Sequence, residues 1–347
     1  IGNDPFEIER FWHRCLGSGF SHRPDISLMG CVSALEMACW DIIGKEVGKP
    51  AYQLLGGRVH DALRSYTYLY PEPGDAADVY SDPTTAAERA AFEVSRGFTA
   101  VKFDPAGPYS VFDGHQPSLE RLDLSERMVA AVREAVGTKA DILFGTHGQF
   151  SSAGAIRLGQ ALEPYSPLWF EEPIPPDNLP EFCKIAEAVR IPVAAGERLT
   201  TKAEFATPLQ TGGAAILQPA LGRAGGLWEA KKIAAMAGVF NAQLAPPLYA
   251  GPVEWAANIQ LAVSTPNLLM AETIESPFHD QLIKGSIRVE NGFITAPTAP
   301  GLGIEVDEDL ARAHPFTGTG LHLEMQEAPC DYVNGNAFEG GAPAPKQ

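Results

Sequence analysis

A parallel β/α barrel is the fold that this 347-residue sequence predicts. Strand-like apolar runs alternate with helix-like stretches along most of the chain. Four consecutive runs also end in polar or charged groups: 100–104 (AVKFD), 142–147 (ILFGTH), 168–173 (LWFEEP) and 193–198 (VAAGER). Asp104, Glu171 and Glu197 therefore fall at the C-terminal ends of separate strands, which converge on the active-site face of such a barrel. Three carboxylates converging in a dry pocket repel one another unless a cation neutralises them. The pattern points to a divalent-metal enzyme.

The elements follow in order. Residues 32–43 carry Leu35, Ala38, Cys39 and Ile42 at helical spacing, and Leu54-Leu55-Gly56-Gly57 closes that region. Strand-like runs then occupy 64–69, 100–104, 142–147, 168–171, 193–196, 215–218, 242–245 and 268–272. Between them, 125–136 places Met128, Val129, Val132 and Val136 on one helical face, and 227–236 does so with Leu227, Ile233 and Met236. A dinucleotide-binding open sheet is disfavoured, because no Gly-rich phosphate fingerprint follows an early strand. Gly222-Arg223-Ala224-Gly225-Gly226 comes after the sixth run and lacks that pattern. Residues 288–294 read as a hairpin around Asn291-Gly292, a strong two-residue turn signal. The Gly-, Pro- and Ala-rich 331–347 read as a poorly ordered tail.

Composition narrows the function classes. The chain is 45% hydrophobic and 20% charged, ordinary for a globular protein. No apolar run approaches the roughly 18 residues of a bilayer span. A net charge of −17 argues against nucleic acid and anionic membranes as partners. Five cysteines without CxxC pairing read as free thiols in a reducing cytoplasm. The chain begins at Ile1 rather than Met.

Residues 34–58 (ALEMACWDIIGKEVGKPAYQLLGGR), with WFEEP and GER, resemble the enolase superfamily, specifically its mandelate racemase-like branch. The similarity runs from about 1 to 306. It implies a modified (β/α)₇β TIM-type barrel over 61–275 and a capping domain drawn from both chain ends, 1–60 and 276–347. Ile1–Pro5 looks like a segment from the middle of that cap, so the first strands and substrate-covering loop are expected to be missing. The resemblance further implies proton abstraction next to a carboxylate, with the enediolate stabilised on one Mg²⁺, the strategy known for this superfamily. By position, Glu171 and Glu197 match metal ligands on strands four and five, and Lys102 matches the first lysine of a Lys-x-Lys motif. Glu272 matches an eighth-strand acid that contacts substrate, and Arg198 is the accompanying substrate-binding candidate. Glu172 would point away from the site and be structural.

The departures carry as much information. The second lysine of the motif is Asp104, and the usual metal-binding aspartate of strand three is Gly145. The aspartate and histidine of the strand-six and strand-seven dyad align with Ala220 and Pro247, so racemisation, which needs two opposed bases, is disfavoured. Some related sugar-acid dehydratases carry a histidine acid at the position of His147, whose alternative role is to cap the next helix. Asp104 is open to three roles: third metal ligand, base, or partner of Lys102. Asp113 and His115, in the 105–117 loop, read as solvated, and Trp228 and Trp255 as core. The expected activity is Mg²⁺-dependent dehydration of an aldonate or aldarate, with Lys102 or Asp104 as base and His147 as acid. The alternatives are a cycloisomerase of a sugar-acid lactone and a catalytically silent sugar-acid-binding homologue. A homo-oligomer in the cytoplasm is expected.

Overall fold

The computed structural model describes residues 2–17, 25–72, 74–106 and 115–315. Asp113, Cys330 and the 331–347 tail lie outside these residues. The protein is an α/β fold with a mixed sheet, and its described residues group into two compact units. One draws on Ile1–Tyr66, Gly196–Gln210 and Ala215–Pro315; the other draws on Thr67–Ala195 and Thr211–Ala214. Strand β1 (Ala62–Tyr68) begins in the first unit and ends in the second.

In the second unit the sheet is parallel. The end of β1 is followed by β2 (Ala100–Phe103), β3 (Asp141–Gly145), β4 (Trp169–Glu171) and β5 (Val193–Ala195). The register sets Tyr68 opposite Lys102, Lys102 opposite Leu143, and Gly145 opposite Glu171. Each of β2, β4 and β5 is buried throughout, as strands covered on both faces must be. Side-chain caps start the intervening helices: Asp82 accepts from the Thr85 amide at 2.8 Å, Ser118 from Arg121 at 3.3 Å and Ser151 from Gly154 at 3.2 Å. Because Ser118 supplies that cap, the helix expected over 125–136 starts earlier and runs Leu119–Val136, burying Met128, Val129, Val132 and Val136.

The first unit mixes strand directions. The N-terminal half of β1 runs parallel to β8 (Ala271–Glu272), and β6 (Ile216–Leu217) runs parallel to β7 (Gln243–Leu244). β9 (Ile283–Gly285) pairs antiparallel with β12 (Ile304–Val306). β10 (Val289–Glu290) and β11 (Phe293–Thr295) form the expected hairpin, and β11 lies antiparallel to β1. Asn291 and Gly292 both have positive φ, 52° and 72°, as the tight turn demands.

The helix expected over 32–43 spans Ile26–Glu46, started by an Asp25 cap. By length and composition alone it is apolar enough to cross a membrane, although Glu36 and Asp41 interrupt its apolar sequence. Its inner face instead supplies Met37, Trp40 and Ile43 to a core shared with Tyr52, Leu227, Ile259, Leu261 and Leu302. Trp228 and Trp255 pack against that core, as their sequence context suggests. Among the described residues no disulfide joins Cys15, Cys31, Cys39 or Cys183.

The same helix buries one carboxylate, Glu36, at the start of helix Leu227–Val239. Its oxygens accept from the Leu227 and Trp228 amides at 2.7 and 2.9 Å and from Trp40 Nε1 at 2.7 Å. A side chain at Gly226, whose φ is 88°, would strike this carboxylate. Burial pushes the Glu36 pKa up to about 7, against the pull of those three donors. A carboxyl that resists ionisation in the folded state stabilises fully below its unfolded pKa and loses that contribution as pH rises through the folded value. Stability should therefore contain a component, on the order of 3 kcal/mol, that declines as pH rises through about 7. Denaturant titrations of wild type and Glu36→Gln across pH 4 to 8 should show that component in wild type alone. Parallel pH profiles would contradict the assignment.

Candidate functional site

Residues Lys102 and Asp104 stand two apart at the end of β2, so their side chains leave the strand on the same face. Both are almost wholly buried, at 3% and 2% exposure, and a buried charge is tolerated only with a partner. Lys102 finds its partner two strands away. Its Nζ donates to Glu171 Oε1 at 2.6 Å, while Trp169 Nε1 donates to Glu171 Oε2 at 3.1 Å. The lysine reaches β4 by passing over Gly145 on β3, where an added Cβ would lie only 3.0 Å from Lys102 Cε. The glycine's role is to leave space.

Asp104 has different partners. The Tyr68 hydroxyl donates to Oδ2, and His147 Nδ1 lies 3.2 Å from Oδ1. The Lys102 ammonium stands 5.5 Å from the Tyr68 ring centroid, within cation–π range. Of the open roles for Asp104, pairing with Lys102 is therefore replaced by pairing with His147. Four residues singled out in the sequence are brought into one cluster, with Lys102, Asp104 and Glu171 buried and His147 half-buried. Tyr68 is its fifth member, which the sequence pattern did not reveal, because a tyrosine in an apolar strand (Ala62–Tyr68) looks like core.

The backbone at the strand ends is strained. His147 has φ 50° and Glu172 has φ 37°, a region that non-glycine residues rarely occupy. Hydrogen bonds hold both in place. Thr146 Oγ1 donates to the Glu171 carbonyl at 2.6 Å, the Gly148 amide to the Glu172 carbonyl at 2.7 Å, and the Glu172 amide to Ala194 at 2.9 Å. Glu172, expected to be structural, thus joins the ends of β3, β4 and β5 through its backbone. His115 lies outside the cluster, edge-on to Phe150 at 5.3 Å, with burial pulling its pKa down.

The remaining candidates belong to the first unit. Glu197 is half-buried, and its carboxylate takes a 3.2 Å contact from Arg223 Nη1, which also donates to the Glu197 carbonyl. Glu254 accepts from the Gly222 amide at 3.0 Å, and burial raises its pKa. Neither Arg223 nor Glu254 was anticipated; the only signal was an arginine in the Gly-rich turn after β6. Arg198 is half-buried. Glu272 is buried, and its Oε2 accepts from the Leu248 amide at 2.6 Å. Ala220 and Pro247, the positions at which the resemblance would place the dyad, carry no titratable group.

Among the described residues no group of three or more His, Cys, Asp or Glu side chains is placed to hold a metal ion. Mg²⁺ is held by oxygen ligands in near-ideal octahedral geometry. The three expected ligands offer little of that. Both oxygens of Glu171 already accept hydrogen bonds, Asp104 is engaged by Tyr68 and His147, and Glu197 by Arg223. The ligand set expected from Asp104, Glu171 and Glu197 does not fit a resident Mg²⁺ as these side chains stand.

Residues 85–310 match the family model described as enolase C-terminal domain-like. The chain belongs to the enolase superfamily. Within it, the solved structures that it resembles lie in the mandelate racemase/muconate lactonizing enzyme family. One from Sulfitobacter sp. is 64% identical with a TM-score of 0.92, covering 95% of this chain and 84% of that one. One from Roseovarius sp. TM1035 is also 64% identical, with a TM-score of 0.93 over 96% of this chain and 84% of that one. Among curated relatives, the D-galactonate dehydratase of Variovorax paradoxus is 35% identical over 89% of this chain and 79% of its own length. The D-gluconate dehydratase of Thermoproteus tenax is 32% identical over 91% of this chain and 63% of its own. Superfamily members are generally Mg²⁺-dependent, and the mixed α/β sheet is consistent with their barrel and cap.

The strain at His147 has a measurable consequence. Asparagine tolerates positive φ and a β-branched residue does not. His147→Val should therefore lose about 1–3 kcal/mol more stability than His147→Asn. Thermal unfolding of the two variants side by side checks this, and equal losses would show that the left-handed conformation is not imposed by the surrounding structure.

Proposed function

We propose that this protein dehydrates a sugar acid, an aldonate or aldarate, to its 2-keto-3-deoxy product. The observation that carries the proposal is the cluster in which a lysine, Lys102, is paired with Glu171 and a histidine, His147, with Asp104. Dehydration next to a carboxylate needs a base for the α-proton and an acid for the departing β-hydroxyl, and proton transfer by a positioned side chain typically contributes 10²–10⁴-fold. The curated relatives named as D-galactonate and D-gluconate dehydratases support the same chemistry.

The residues divide the work as follows. Lys102 accepts the α-proton once its own ammonium proton has passed to Glu171 Oε1, 2.6 Å away. In a buried site a neutral lysine–glutamic acid pair is tolerable, because burial penalises the charged forms of both groups. His147 delivers a proton to the β-hydroxyl, which leaves as water. Asp104 stabilises the imidazolium before that transfer, and is the alternative base. Arg198 and Glu272 remain candidates for substrate binding, an arginine being suited to offset the charge that a −17 protein presents to an anion. The same proposal assigns 61–275 to the β/α repeat and the flanking 1–60 and 276–347 to the capping domain.

His147→Asn should lower dehydration by about 10²-fold or more while exchange of the α-proton with solvent deuterium continues, since exchange needs only the base. Lys102→Met should remove both activities. Near-normal dehydration by His147→Asn would refute the acid assignment, and persistent exchange by Lys102→Met would move the base to Asp104.

A further inference from the structure

We infer that Tyr68 is a positioning residue whose hydroxyl orients the Asp104 carboxylate so that Asp104 holds the His147 ring as its Nδ1–H tautomer. The inference rests on the proposed role of His147 as acid, because it explains how that ring is aimed.

Tyr68 ends β1, in register with Lys102, and is 6% exposed. Its hydroxyl donates to Asp104 Oδ2, and the other oxygen faces His147 Nδ1 at 3.2 Å. Asp104 thus has one donor on each oxygen, and its carboxylate plane is fixed by two side chains from two other strand ends. A carboxylate is an acceptor only. In the neutral ring, therefore, the nitrogen facing Asp104 must carry the hydrogen, and Nε2 is left as the atom that gives up and regains a proton. In a Ser-His-Asp triad an aspartate sets a histidine tautomer in this way, and losing that aspartate costs activity without disturbing the fold. The Tyr68 phenol stays a donor throughout, since burial and the neighbouring Asp104 carboxylate hold its pKa well above the ordinary value.

Gly145 makes this arrangement possible. A Cβ there would lie 3.3 Å from the Tyr68 hydroxyl oxygen, 3.0 Å from Lys102 Cε and 3.6 Å from His147 Cε1. A side chain there would crowd Lys102 and Tyr68 and touch His147. The position at which the family resemblance places a metal-binding aspartate is therefore the clearing in which the tyrosine, lysine and histidine meet. The lost dyad at Ala220 and Pro247 also has a counterpart here, a histidine–aspartate pair on the ends of β3 and β2. A merely structural tyrosine would matter for its ring, which stacks on Tyr70 at 5.0 Å and 22°. Tyr68→Phe keeps that ring and removes only the hydroxyl.

Protein labelled with ¹⁵N-histidine tests the inference without substrate. The His147 signals are those missing from His147→Asn. At alkaline pH, where the ring is neutral, the wild type should show the Nδ1–H tautomer alone, and Tyr68→Phe should show a mixture of tautomers. In turnover, Tyr68→Phe should lower kcat about tenfold and leave KM within about twofold, because an interaction with the acid rather than with bound substrate is lost. An Nε2–H ring in the wild type, or the same single tautomer in Tyr68→Phe, overturns the inference. Absence of sugar-acid dehydration by the wild type would defeat the proposed function, while the tautomer measurement would still decide the role of Tyr68.

Discussion

A lysine buried at a strand end must have its charge met, and the geometry around the strand ends follows from how this one is met. Lys102 on β2 reaches Glu171 on β4, and the only route lies over the intervening β3. Gly145 leaves room for it, since a Cβ there would lie 3.0 Å from Lys102 Cε. Removing either partner of such a pair leaves an uncompensated buried charge, which costs about 3–5 kcal/mol. With Glu171 engaged by Lys102, Asp104 is left to Tyr68 and His147, and the cluster resolves into two pairs, each with one basic and one acidic group. The sequence pattern had suggested three carboxylates in need of a cation. In the structure Lys102 pairs with Glu171 and Arg223 with Glu197, while Asp104 is hydrogen-bonded by Tyr68 and His147.

Most of the strand positions were legible because fully buried parallel strands appear as short apolar runs that end at a carboxylate. Asp104, Glu171 and Glu197 were found in this way. Helix starts were less visible. Ser118 and Asp25 each lie ahead of the clearest apolar periodicity, so the helices they cap begin about a turn and a half before the pattern does. The Asn291-Gly292 turn was found outright, since few dipeptides adopt two positive φ values.

The partners of the charged residues were not legible. Linear order does not show that Tyr68 lies opposite Lys102, or that Arg223 folds back onto Glu197. Periodicity cannot separate a tyrosine that packs from one that donates a hydrogen bond to a carboxylate. The helix Ile26–Glu46 shows the same limit differently: its composition passes for a membrane span, and only the capping contacts of Glu36 show why a carboxylate sits in its buried face. Position 145 was conspicuous as a missing ligand, but its function as open space depends on atoms brought in from two neighbouring strands.

In the proposed chemistry one cluster removes an α-proton and expels a β-hydroxyl from a sugar acid. The most direct measurement is NMR of the wild-type protein with a panel of aldonates and aldarates in D₂O. The account predicts a 2-keto-3-deoxy acid from at least one member, carrying one solvent deuteron at C3. Lactone rearrangement without loss of water, or no reaction across the panel, would contradict it.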